Sequence, residues 1–407
     1  MAQRGPEGLV LQRDGHRGKA VLDFTLDDVA YLTSAQGGAA LDDVAELSLA
    51  DRVAAVAQVR SRHHHRAAAL IETTLLRRRA SVKLAGADTW LFTDEALQQA
   101  TATAVAAHRA RRLAGRVVHD ATCSIGTELA VLGEVAEAVV GSDLDPVRLA
   151  MAAHNLDGRV LLCRADALAP ITADAVVLID PARRSGGTRR FDPRAYTPGL
   201  DRVLEVYRDR DLVVKCAPGI DFDGLTELGF RGEIELTSLA GSVREACLWS
   251  PSLAQPGVHR RATVLDTGEQ FTDADPDDCQ VGPAGRWIVD PDGAVVRAGL
   301  VRQYAARHGM WQLDPDIAYV TGDRLPAGVR GFEVLETLPF TEKKLRQALS
   351  ALDCGALEIL VRGVGVDPDA LRRSLRQKGR QPLSVVITRI GTGRDSRATA
   401  FVCRASR

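Results

Sequence analysis

Apolar and polar positions along this chain fall into blocks of differing period. From Thr25 to about Val82 the period is helical, with Val53, Val56 and Val59, then Ala67, Leu70, Ile71 and Leu75, recurring at three- and four-residue spacing. Thr25 ahead of Leu-Asp-Asp reads as an N-cap with acids in the first turn, and Ser48-Leu-Ala-Asp51 as a second helix start. Thr93-Asp94-Glu95 caps a helix running from Ala96 to about Leu113. Short apolar runs then alternate with helical stretches: Val117-Val118, Ala138–Val140, Val160–Cys163, Ala175–Ile179 and Leu212–Lys215. Pro146 opens one of the intervening helices at the first-turn position proline prefers. Two further apolar segments, Glu233–Thr237 and Ala246–Trp249, bring the expected strands to seven. Strands alternating with helices predict an α/β fold, a doubly wound sheet with ligands at the strand C-termini.

Around Pro251–Gly257 the pattern breaks. Trp287–Val296 reads as a hairpin turning on Asp290-Pro-Asp-Gly293, and Leu300–His308 as a helix. The last segment reads strand (Phe332–Leu338), helix (Glu342–Leu352), strand (Ala356–Val361), helix (Pro368–Arg376), then strands Ser384–Ile390 and Thr399–Cys403. That is a small α+β unit. The first twenty residues are polar and glycine-rich, and read as loose.

Composition changes this picture little. A chain of 407 residues with 45% hydrophobic and 26% charged residues is ordinary for a globular protein of two or three domains. A net charge of −1 gives no global nucleic-acid signature. Seven cysteines without a C-x-x-C pair argue against a disulfide framework and against a zinc site. No apolar run is long enough for a membrane span, and the start lacks the apolar core of a signal peptide. The expectation is a cytoplasmic protein without metal or membrane.

The candidate chemistry lies in Val117–Pro146, a strand, a turn of small residues, a helix and a second strand ending in acid. Such a βαβ unit favours a nucleoside. Small residues let a ligand approach the backbone, the helix start offers unpaired N–H groups, and an acid at the second strand tip accepts ribose hydroxyls. Asp143 holds that position, with Asp145 its competitor. The nicotinamide-cofactor fingerprint needs three glycines, and only Gly126 is present.

The string D-x-x-C-x-I-G from Asp120, followed by V-x-G-x-D-x-D-P, resembles the first two motifs of class I S-adenosylmethionine-dependent methyltransferases. Trp90-Leu-Phe-Thr93, Ala96-Leu-Gln-Gln-Ala-Thr101, Ile179-Asp-Pro-Ala-Arg183 and Val214-Lys-Cys-Ala-Pro-Gly-Ile-Asp221 extend the likeness. Together they resemble bacterial methyltransferases with a THUMP-like C-terminal domain, relatives of RNA cap guanine-N2 methyltransferases. The likeness runs from roughly Ala67 to the end and is strongest between Leu91 and Trp249.

The resemblance implies a Rossmann-like seven-stranded class I sheet with a reversed seventh strand. It implies four segments: a helical region 1–92, a methyltransferase domain 93–254, a β-rich connection 255–330 and a THUMP-like domain 331–407. It implies S-adenosyl-L-methionine as cofactor, with Asp120, Cys123, Gly126, Asp143 and Asp166 around it. Asp120 would accept from the cofactor's amino group, Gly126 would give close backbone approach, and Asp166 would accept the adenine amino hydrogen. Asp180, Pro181 and Arg183 form the catalytic-loop candidate, in which the acid accepts amino hydrogens of the substrate. Relatives carry a second proline and an aromatic where this chain has Ala182 and Arg183, and Ser124 and Thr127 replace expected glycines.

Arg77-Arg78-Arg79 with Lys83 reads as either a solvated basic face or a phosphate-contacting patch beside the active site. With Lys215 after the fifth strand, Arg77, Arg78 and Lys83 are the substrate-binding candidates. His63-His64-His65 point in different directions on a helix and read as surface. The expected activity is methylation of an RNA base (tRNA or rRNA) at an amino nitrogen. Three alternatives stay open: a pyrimidine-C5 enzyme with Cys216 as nucleophile, a small-molecule methyltransferase, or a non-catalytic RNA-binding protein that retains the fold.

Overall fold

The computed structural model describes residues 22–47, 52–183, 192–391 and 393–406. The expectations for the first twenty residues, the helix start at Ser48–Asp51 and the side chain of Arg183 lie outside what it describes. The chain divides into two compact units, one reaching Gly232 and including Cys247–Leu253, the other comprising Glu233–Ala246 and Ala254 onward.

The first unit opens with helices Leu26–Leu32, Ala35–Glu46, Arg52–His63 and Ala67–Ala80. Thr25 caps the first as read, its hydroxyl accepting from Asp28 N–H and the Asp28 carboxylate accepting from Thr25 N–H. Leu41, Val44, Val59, Leu70 and Leu76 bury their side chains in one core that also takes in Leu91, Phe92, Ile125 and Met151. Asn155 ties the same parts together through its amide. It accepts from Leu91 N–H at 2.7 Å and donates to Leu91 and Ile125 carbonyls at 3.0 Å. The helix expected from Ala96 to Leu113 is two, Asp94–Gln99 and Thr103–Arg112. The residues between them, Ala100 and Ala102, are extended instead of helical.

Five parallel strands follow: β1 (Val117–Asp120), β2 (Ala138–Asp143), β3 (Leu161–Arg164), β4 (Val176–Ile179) and β5 (Leu212–Cys216). Their order is β5-β4-β1-β2-β3, with Val118 opposite both Val139 and Val176. The chain therefore reverses its winding between β1 and β4, which opens a crevice at the carboxyl ends. Every residue of β4 and β5 is buried, as expected of parallel strands covered on both faces.

β6 (Glu233–Leu239), in the second unit, and β7 (Ser242–Trp249), whose last three residues belong to the first, are joined by Ala240 and Gly241, both at positive φ. A two-residue link makes them antiparallel, so the seventh strand is reversed as the resemblance implied. A seven-stranded sheet then collects Trp311–Asp314, Ile317–Gly322, Trp287–Val289, Phe332–Pro339, Arg397–Ala405, Gln381–Ile390 and Cys354–Arg362, in that order. Helices Glu342–Ala351 and Pro368–Leu375 supply Leu345, Leu349, Leu371 and Leu375 to its core.

The hairpin expected at Trp287–Val296 is absent. Asp292 caps a helix, Gly293–Ala298, by accepting from Ala294 N–H at 2.7 Å. Asp-Pro-Asp-Gly serves a turn or a helix start equally well, and burial of Ala294, Val295 and Ala298 on one face decides for the helix.

Candidate functional site

At the carboxyl ends of β1, β2, β4 and β5 lies a cavity of ≈ 230 Å³ whose lining includes Asp120, Asp143, Asp166, Asp180, Glu128 and Lys215. The turn after β1 is held by backbone donors on carboxylates. Thr122 N–H donates to Asp120 Oδ1 at 3.1 Å, and Ser124 N–H donates to Asp143 Oδ2 at 2.9 Å. Asp143 Oδ1 accepts from Asp145 N–H at 2.9 Å, so both its oxygens are oriented before any ligand arrives. Asp145 faces its own helix, capping Pro146–Asn155 through Val147 and Arg148 N–H.

Ser124 stands where a glycine was expected and adopts φ +49, a left-handed conformation steadied by its bond to Asp143. Gly126 has φ +87, but it is not a lining residue. A β-carbon there would meet Leu156 Cδ1 at 2.9 Å. The glycine serves the turn and its packing on Leu156, and Thr122, Cys123 and Ser124 beside it line the cavity. Cys123 lines the cavity as a buried thiol that burial pushes far up from its ordinary pKa. Asp166 is exposed at the rim, accepting from Leu168 N–H at 2.9 Å.

Asp120 is 2% exposed, and its pKa is raised to about 7. Burial is the main cause and the Glu128 charge the second, opposed by the Thr122 bond and Lys215. Glu128 is equally buried, yet Arg109 and Lys215 outweigh its desolvation and hold it at about 2. Arg109 Nη2 lies 3.3 Å and Lys215 Nζ 3.1 Å from Glu128 Oε1, and Lys215 Nζ lies 2.6 Å from Asp180 Oδ2. Asp180 N–H donates to Thr122 Oγ1 at 2.7 Å, joining the tips of β1 and β4.

Because the folded pKa of Asp120 exceeds the ordinary 3.8, its contribution to stability is intact below about pH 4 and lost as pH rises through about 7. Asp120→Asn is expected to be more stable than the wild type at pH 8, by about 2–4 kcal/mol. The difference should vanish near pH 4, as read from urea unfolding at the two pH values.

Other expected site residues are placed elsewhere or used otherwise. Arg77 Nε donates to the Trp90 carbonyl at 2.9 Å, and Arg78 Nη2 to the Ala45 carbonyl at 2.9 Å. Lys83 Nζ donates to the Leu97 and Gln98 carbonyls at 3.2 and 3.1 Å. None of the three lines the cavity. These cations close backbone carbonyls at helix and loop ends, a use that a cluster of basic letters does not reveal. Pro181 is buried and also outside the lining, while Ala182, Thr197 and Pro198 border it. Ala182 pairs with Thr197 in a short ribbon. Lys215 does line the cavity, with its ammonium on Glu128 and Asp180. Cys216 is buried and is not a lining residue, which removes support from the C5 alternative. Sequence reasoning missed Glu128, Arg109 and Asn155. A lysine at the end of an apolar strand was the one signal that a buried counter-ion existed.

Comparison with known proteins places this geometry. Two curated proteins of Mycobacterium tuberculosis, from strains CDC 1551 / Oshkosh and ATCC 25618 / H37Rv, are each named as an S-adenosylmethionine-dependent methyltransferase. Both are 68% identical over 340 residues, 81% of this chain and 95% of theirs. The chain belongs to the S-adenosylmethionine-dependent methyltransferases. The family model described as "THUMP domain-like" matches residues 329–405 of this methyltransferase, and a domain of unknown function matches residues 25–80. Its fold is shared with the crystal structure of a candidate methyltransferase from Porphyromonas gingivalis W83. That likeness has a TM-score of 0.74 at 18% identity, over 94% of this chain and 100% of that one. Five carboxylates against two cations line the cavity, a balance that suits a cofactor carrying a sulfonium and an ammonium group. Among the described residues no helix is long and apolar enough to cross a membrane.

Proposed function

We propose that this methyltransferase transfers a methyl group directly to an amino nitrogen of an RNA base, in tRNA or rRNA. The observation that carries the reading is the Asp180 carboxylate, 40% exposed, on the same cavity as Asp120 and Asp143. S-adenosylmethionine, when bound, supplies an electrophilic methyl on a good leaving group. Everything else falls to the chain. Asp143, already fixed by two amides, has lone pairs left for ribose hydroxyls. Asp120 accepts from the cofactor's amino group, and Asp166 at the rim accepts from the adenine amino group. Asp180 accepts a hydrogen of the substrate amine, turns the nitrogen lone pair toward the methyl, and is placed to take the proton the nitrogen sheds after transfer.

Support for RNA comes from the THUMP-like segment and from the charge on it. Helices Glu342–Ala351 and Pro368–Leu375 with the loop after them expose Lys343, Lys344, Arg346, Arg373, Arg376 and Lys378. Arg346, Arg376 and Lys378 border a hollow of ≈ 370 Å³. Exposed cations around such a hollow suit a phosphate backbone, although Asp353 also borders it.

The test is to incubate the full chain with methyl-tritiated S-adenosylmethionine and RNA from cells lacking this gene, then digest the RNA to nucleosides. The expected product is one labelled nucleoside carrying the methyl on an exocyclic nitrogen. Label on carbon, or none in RNA, contradicts the reading.

A further inference from the structure

We propose that Lys215 is a positioning residue for methyl transfer, anchored from behind by Glu128 and fixing the orientation of the Asp180 carboxylate. This rests on the reading that Asp180 accepts from the substrate amine.

Lys215 stands in a strand whose every residue is buried, and its side chain is 7% exposed. Glu128 is 7% and Arg109 2% exposed. Burying three charges is costly before their mutual attraction is counted, and apolar residues of similar volume serve stability as well or better. A network built for stability alone would close on itself. This one reaches Asp180, its most exposed member, and Asp180, Lys215 and Glu128 all line the cavity.

The order of partners is also directional. Arg109 and Lys215 both approach Glu128 Oε1, so Glu128 is pinned between two cations, and Lys215, itself lining the cavity, also lies 2.6 Å from Asp180 Oδ2. Asp180 is thereby held twice, its main chain by Thr122 Oγ1 at 2.7 Å and its carboxylate by Lys215. The lysine engages one oxygen, and the 40% exposure of the side chain leaves the carboxylate open to an incoming amine. Without Lys215 the carboxylate turns freely about its side-chain torsions, and an acceptor misplaced by about 1 Å costs on the order of 100-fold in rate.

The test uses the full chain with Lys215→Met, Lys215→Arg and Glu128→Gln, assayed on the RNA described above. Lys215→Met is expected to lower kcat about 100-fold, with KM for RNA and cofactor affinity within about 3-fold of wild type. Lys215→Arg should recover about tenfold of that loss, and Glu128→Gln should lose about tenfold by loosening the rear anchor. A merely structural lysine would lower the thermal midpoint and leave kcat per folded molecule intact. The proposal is overturned if kcat of Lys215→Met stays within about 3-fold of wild type, or if arginine restores nothing beyond methionine. Should Lys215→Met fail to fold, Glu128→Gln decides, and an unchanged kcat there overturns the proposal. Two outcomes separate this inference from its premise. An inactive Asp180→Asn beside an active Lys215→Met sinks the inference alone. An active Asp180→Asn, or a wild type that labels no RNA, removes the premise and the inference together.

Discussion

Asp180→Ala should slow methyl transfer by about 10²–10⁴-fold while cofactor affinity stays within about 3-fold of wild type. The size of the effect follows from what Asp180 does and what it does not do. A neutral exocyclic amine is a weak nucleophile whose lone pair is drawn into the base. An acceptor on its hydrogen localises that pair and aims it, which is worth most when the acceptor is held in place. Cofactor contacts fall to other side chains, so binding is spared. The fold should survive, because Lys215 keeps Glu128 at 3.1 Å when Asp180 is shortened. Rapid-quench measurement of a single turnover separates the chemical step from product release. A single-turnover rate equal to that of wild type would remove Asp180 from the reaction and leave the cavity with cofactor binding alone.

Loss of the Asp143 carboxylate should cost binding instead of rate. Asp143→Ala is expected to weaken S-adenosylmethionine binding about 100-fold, near 2.7 kcal/mol. Two charge-assisted hydrogen bonds to a ribose, at roughly 1.5–3 kcal/mol each, account for it. Part of the loss is indirect. Ser124 N–H and Asp145 N–H both rest on this carboxylate, at 2.9 Å each, and the turn after β1 loosens without it. Asp143→Asn, which keeps one acceptor for those amides, should fall between alanine and wild type. Equilibrium dialysis with labelled cofactor measures all three. An asparagine variant as weak as alanine would mean that the negative charge, and not the shape of the turn, governs binding.

The parts of the site that were legible in the sequence are those set by local rules. Asp143 follows from a short apolar run that ends in acid after a crossover helix, and Asp120 from its place one turn earlier. Both line the cavity. Gly126 was legible as a glycine that had to be one, and its φ of +87 and the Leu156 side chain add a local reason. Pairs far apart in sequence were not legible. Lys215 and Glu128 are 87 residues apart, and Asn155 and Leu91 are 64 apart. Nothing in either neighbourhood names the other.

Two patterns had more than one physical solution. Asp290-Pro-Asp-Gly293 can turn a hairpin or start a helix, and tertiary burial chose. Arg77, Arg78 and Lys83 look like an anion patch, yet their donors satisfy carbonyls of Trp90, Ala45, Leu97 and Gln98. The doubly wound class, by contrast, was legible from the alternation, although no helix lies between β3 and β4, where one was expected, and alternation alone does not choose the strand order.

We expect the cofactor in the carboxylate-lined crevice at the ends of β1 and β2. Calorimetric titration of the full chain with S-adenosylmethionine, wild type and Asp143→Ala side by side, tests it most directly. The account predicts one molecule bound per wild-type chain and about 100-fold weaker binding in the variant. Equal binding by the two proteins, or no binding by the wild type, would contradict it.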